Sequence, residues 1–86
     1  MVVKGRVQGV GYRFSCARRA QAAGVSGWVR NLPDGDVEVD LVGEPGPVAE
    51  VESWCRRGPR MALVTSVEVT DLRTDDAIPL RGFAIR

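Results

Sequence analysis

There is no histidine in this sequence. Its absence excludes Ser-His-Asp and Cys-His catalysis, histidine general bases and most zinc sites. Cysteine is scarce as well: Cys16 and Cys55 stand far apart along the chain, in no C-x-x-C arrangement. They cannot build a disulfide framework, and they read as small buried apolar residues of a reducing compartment. No apolar run reaches the roughly 18 residues of a membrane-spanning helix, and the start "MVVKGR" lacks the apolar stretch of a signal peptide. A cytoplasmic location with no membrane partner is therefore expected. Lysine is nearly missing too, since every basic residue except Lys4 is arginine. Arginine is the better bidentate partner for phosphate and carboxylate.

What remains is ordinary for a globular protein. The chain has 86 residues, 44% hydrophobic and 27% charged, enough for one domain over residues 1–86 and too few for two. The formal net charge is +1 with both signs mixed, which argues against a binder driven by a basic face.

Hydrophobic periodicity places the elements. Residues 2–8, "VVKGRVQ", read as a first strand with Gly5 inside it. Residues 14–23 follow as a helix with Phe14, Ala17 and Ala20/Gln21 at helical spacing, stopped by Gly24. "VSGWVRNL" (25–32) is a second strand. "PDG" (33–35) is a tight-turn signal, and "DVEVDLV" (36–42) alternates cleanly, so the two strands form a hairpin. Glu44-Pro45-Gly46-Pro47 opens a second helix with Val48, Val51, Trp54 and Cys55 on one stripe, ended by Gly58-Pro59. In "MALVTSVEVT", Met61, Leu63, Thr65, Val67 and Val69 share one parity, which predicts a strand with those side chains inward. A polar loop (71–81) and a short terminal strand, "GFAIR", close the chain. The order β-α-β-β-α-β plus a short C-terminal strand predicts an α+β, ferredoxin-like sandwich, with two helices on one face of an antiparallel sheet. That architecture hosts many activities and decides none.

The segment "GRVQGVGYR" (5–13) carries the chemistry. It lies between a strand and a helix start, where backbone N–H groups lack partners and the macrodipole adds roughly half a positive charge. Gly9 and Gly11 let consecutive amides turn inward as an anion nest, and Arg13 can fork onto two oxygens of a phosphate or carboxylate. The loop completes neither a Walker A motif nor G-x-G-x-x-G. Its glycines alone are equally consistent with a tight structural turn.

Together with "GWVRNLPDGDVE", this segment resembles the acylphosphatase family, whose two signature segments occur in this order and at this separation. The similarity runs over nearly the whole chain, including "GFAIR". The resemblance implies a small enzyme that hydrolyses the mixed anhydride of acyl phosphates to a carboxylate and phosphate, with no metal or other cofactor; a monomer is expected, though the sequence leaves the oligomeric state open. It assigns phosphoryl binding to Arg13 and to the loop residues Gln8, Gly9, Val10, Gly11 and Tyr12. It also places the asparagine that orients the attacking water on Asn31.

The physics agrees with that chemistry. A carboxylate is already a good leaving group, so the phosphoryl charge needs stabilising and the water needs placing. Asn31 can both accept and donate, so it can hold a water in line without acting as a base. A non-enzymatic anion-binding module would need the loop alone. No nucleic-acid partner is expected, because the strands lack a paired aromatic platform. The same domain type occurs in much longer hydrogenase-maturation proteins; at this length a free-standing enzyme is the simpler expectation.

Overall fold

The computed structural model describes residues 1–70 and 82–86. Its elements are β1 (Val2–Arg6), α1 (Tyr12–Ala23), β2 (Ser26–Asn31), β3 (Val37–Val42), α2 (Pro45–Arg57), β4 (Leu63–Glu68) and β5 (Phe83–Ile85). The polar loop expected at 71–81 lies outside the described residues. The strands form one sheet in the order β4-β1-β3-β2-β5. This is the expected ferredoxin-like α+β sandwich, with one refinement: β5 runs parallel to β2, so the sheet is mixed.

β3 shows why one face is buried. Val37 and Val39 are fully enclosed, while Glu38 and Asp40 between them turn to the other face. Val3 of β1 and Val29 of β2 join the same layer. Each fully buried valine contributes about 1.5–3 kcal/mol relative to exposure. On the outer face Trp28 lies beside the guanidinium groups of Arg30 and Arg86, 5.2 and 4.9 Å from its ring centre.

The helices cover the inner face. α1 begins two residues earlier than its expected start at Phe14, and its buried stripe is Tyr12, Cys16, Ala17 and Ala20, of which Ala17 and Ala20 were expected. Phe14 lies roughly 200° round the helix from Tyr12 and is 62% exposed, contrary to its predicted place in the stripe. α2 starts with proline, whose missing N–H costs nothing there, and buries Val51, Trp54 and Cys55. The helices meet through Tyr12 and Trp54, whose ring centres are 5.4 Å apart, and through Cys16 and Cys55. The two thiols, distant in sequence, lie 4.0 Å apart, buried and free.

β4 departs most from its pattern. Of the residues predicted to point inward, Val67 packs against the core, but Leu63 is 63% exposed, and Met61 and Val69, beyond the strand's ends, are 72% and 50% exposed. Val64, of the other parity, packs inward. The register explains Leu63 and Val64. Lys4 pairs with Ser66 but Gly5 pairs with Val64, so Thr65 is an extra residue and the strand's parity flips across it. Gly5 makes the bulge possible. Its φ is 124°, and a Cβ there would overlap the Leu63 carbonyl oxygen.

Candidate active site

The glycine loop is the hinge between β1 and α1. β1 ends at Arg6, not at residue 8 as predicted, and Val7 plugs the core. Gly9 and Gly11 have φ of 74° and 78°, the left-handed region that glycine enters without strain. Gly11 is the N-cap of α1, and no side chain caps the helix. Ser15 is the first helical residue whose amide reaches a backbone carbonyl, Gly11 O at 3.0 Å. No acidic side chain lies in the first turn. The N-terminal end of α1 therefore presents its partial positive charge and its amides to the loop. Tyr12 and Arg13 belong to this first turn of helix.

Each residue assigned from sequence can now be located. Gly9, Gly11, Tyr12, Arg13 and Asn31 line a single cavity of about 190 Å³, together with Val7, Phe14 and Ile85. Arg13 forms no ion pair or hydrogen bond among the described residues. Asn31 is the last residue of β2, and its Oδ1 is buried without a hydrogen-bond donor, alone in this among the described side chains. An orphaned buried oxygen is costly and rare, and this one is free to accept a hydrogen bond from a water or ligand.

Gln8 and Val10 do not line that cavity. Val10 packs against the core. The Gln8 side-chain amide donates to two carbonyls of the β2–β3 turn, Leu32 O at 2.8 Å and Asp36 O at 2.9 Å. The side chain of Tyr12 is likewise engaged elsewhere: it is buried, and its hydroxyl donates to Cys55 O at 2.8 Å. The Gln8 amide nitrogen and the Tyr12 hydroxyl are thus committed to backbone carbonyls. The clamp made by Gln8 was not legible in the sequence, because a glutamine in a glycine loop reads as a ligand as easily as a strut.

The turn is fixed from several sides. Leu32 N donates to Asp36 O at 2.8 Å, and Asp36 N donates to Asp34 Oδ1 at 3.0 Å. Lys4 of β1 pairs with Asp36 at 3.0 Å. The hydrogen bond and negative charge of Asp36 hold the Lys4 ammonium above its ordinary value. Burial, with the Cys55 contacts, pushes the Tyr12 phenol up; the contact with Cys55, with burial, pushes up the Cys16 thiol. Both groups remain neutral core members at physiological pH.

In this ferredoxin-like sandwich the first β–α loop and the end of the second strand thus border one cavity, and a helix N-terminus of this kind favours an anion. Comparison with known proteins gives the family. The model of the family described as acylphosphatase matches residues 1–85. An acylphosphatase from Nocardioides sp. (strain ATCC BAA-499 / JS614) is 49% identical over 86 residues, covering all of this chain and 84% of that protein. One from Synechococcus sp. (strain WH7803) is 54% identical over 70 residues, covering 81% of this chain and 70% of its own. The crystal structure of acylphosphatase from Bacillus subtilis superposes with a TM-score of 0.90 at 32% identity, covering 99% of this chain and 92% of that one. The chain belongs to the acylphosphatase family of hydrolases. Among the described residues no helix is long and apolar enough to cross a membrane.

Proposed function

We propose that residues 1–86 act as one metal-independent acylphosphatase domain in which Arg13 and the loop amides hold the phosphoryl group and Asn31 orients the attacking water. The observation that carries this reading is the shared cavity: a guanidinium without a partner among the described residues, an uncapped helix N-terminus and the orphaned Asn31 Oδ1 all border the same space.

The division of labour follows from the reaction. Water attacks phosphorus, the bond from phosphorus to the acyl oxygen breaks, and a carboxylate leaves with its electron pair. The water's protons end on the phosphate oxygens, so an acyl phosphate dianion and water give a carboxylate and dihydrogen phosphate. Arg13 and the backbone amides neutralise the phosphoryl oxygens, where fixed dipoles act without reorganisation. Asn31 Oδ1 accepts a hydrogen bond from the water and aims its lone pair, which is positioning and not proton removal. A carboxylate leaving group needs no Lewis acid. The site is complete within one chain, which supports action as a monomer, and the two buried free thiols fit a reducing, cytoplasmic setting.

Purified protein should hydrolyse benzoyl phosphate in the presence of EDTA. Phosphate binding without turnover would instead make this an anion-binding module, and loss of activity on chelation would contradict metal independence.

A further inference from the structure

Two large apolar side chains stand at the mouth of the cavity where folding gives them no role. Phe14 is 62% exposed and Ile85 47% exposed, and both line the space that Arg13, Gly9, Gly11 and Asn31 border from the polar side. They come from unrelated elements, Phe14 from the first turn of α1 and Ile85 from the edge strand β5. Neither belongs to the core cluster. The Arg18 guanidinium lies 5.9 Å from the centre of the Phe14 ring. An exposed apolar pair rimming a polar cavity is the arrangement of a ligand site with an apolar end.

Building on the hydrolase reading above, we propose that Phe14 and Ile85 form an acyl-binding rim that selects acyl phosphates with an aromatic or branched apolar acyl group over short ones such as acetyl phosphate. The phosphoryl group, held at the glycine loop, directs its acyl substituent out of the cavity and across these two side chains. A ring or branched chain there covers apolar surface that an acetyl methyl is too small to reach. The polar end of the site fixes the reaction, and the apolar end fixes which acyl group is served. Val7, the remaining apolar residue of the lining, is buried and adds wall but no reach.

The test is the ratio of kcat/KM for benzoyl phosphate to that for acetyl phosphate, compared between the natural chain and its variants. Comparing the ratios between proteins cancels the different intrinsic reactivities of the two substrates, as well as any uniform loss from partial unfolding. Phe14→Ser should lower the ratio about tenfold, the scale on which a hydrophobic pocket tells a larger apolar group from a smaller one. Ile85→Ser should lower it in the same direction, and Phe14→Leu should retain most of it. Val69→Ser, an exposed apolar position beyond the opposite end of the β1–β4 pairing, should leave the ratio where it was. Turnover of both substrates with an unchanged ratio in Phe14→Ser and Ile85→Ser would overturn the rim while leaving the hydrolase reading intact. No turnover of either substrate by the natural chain would overturn the hydrolase reading and the rim with it.

Discussion

The side-chain amide of Gln8 donates to the backbone carbonyl of Leu32 at 2.8 Å, tying the glycine loop to the residue that follows Asn31. Its second bond, to Asp36 O at 2.9 Å, closes the base of the same turn. The two halves of the site, separated by more than twenty residues of sequence, are thus held in register by one side chain. Gln8→Met keeps the length and removes both side-chain hydrogen bonds, although Leu32 O and Asp36 O each keep a backbone donor, Gly35 N at 3.2 Å and Leu32 N at 2.8 Å. At about 0.5–1.5 kcal/mol for each lost bond, the expected loss of stability is read by denaturant titration. The Asn31 end should loosen more than the loop, so kcat should fall severalfold while competitive inhibition by inorganic phosphate changes little. A parallel loss of phosphate affinity would show that Gln8 serves the loop instead.

The bulge at Gly5 makes a second, purely structural forecast. Alanine there must take a φ of 124° with its methyl group against the Leu63 carbonyl. Gly5→Ala should destabilise by at least about 2 kcal/mol, visible as a lower urea midpoint. A neutral result would mean that the β1–β4 register is not the one described.

Stability should be insensitive to pH through the neutral range, where no histidine titrates. It should decline on the alkaline side. Burial first, with the Cys55 contacts, holds the Tyr12 pKa above 10.0 in the folded state. Above that value the unfolded chain releases a proton that the native chain keeps, so this stability is fully present below about pH 10 and falls as pH rises. Tyr12→Phe should flatten the limb above pH 10, at some cost from the missing bond to Cys55 O. An alkaline limb unaffected by that substitution would place the titrating group elsewhere.

Much of the fold is readable from the sequence, for identifiable reasons. The hairpin is legible because strict alternation at Val37, Val39 and Leu41 is joined to a proline–aspartate–glycine turn, and both signals are local. Arg13 and Asn31 are legible as a pair because two long motifs match one family together, and the structure brings them to one cavity. Parity misplaces Leu63 and Val64 of β4 because it assumes an unbroken ladder, and the extra Thr65 depends on how Gly5 meets its neighbour. Phe14 falls outside the stripe because Cys16 and Tyr12, not counted among the apolar positions of the helix, centre the buried arc away from it, while Ala17 and Ala20 stay inside. The Cys16–Cys55 contact and the Gln8 clamp span 39 and 24 or more residues, so no local pattern encodes them.

The most direct test of the proposed roles is Asn31→Ala, with kcat and the inhibition constant of inorganic phosphate measured beside Arg13→Ala. If Asn31 orients water while Arg13 and the loop hold the phosphoryl group, Asn31→Ala lowers kcat on the order of 10²-fold or more and leaves phosphate inhibition nearly unchanged. Arg13→Ala should abolish both. An Asn31→Ala variant that loses phosphate affinity as steeply as it loses turnover, or that turns over normally, would contradict the division of roles.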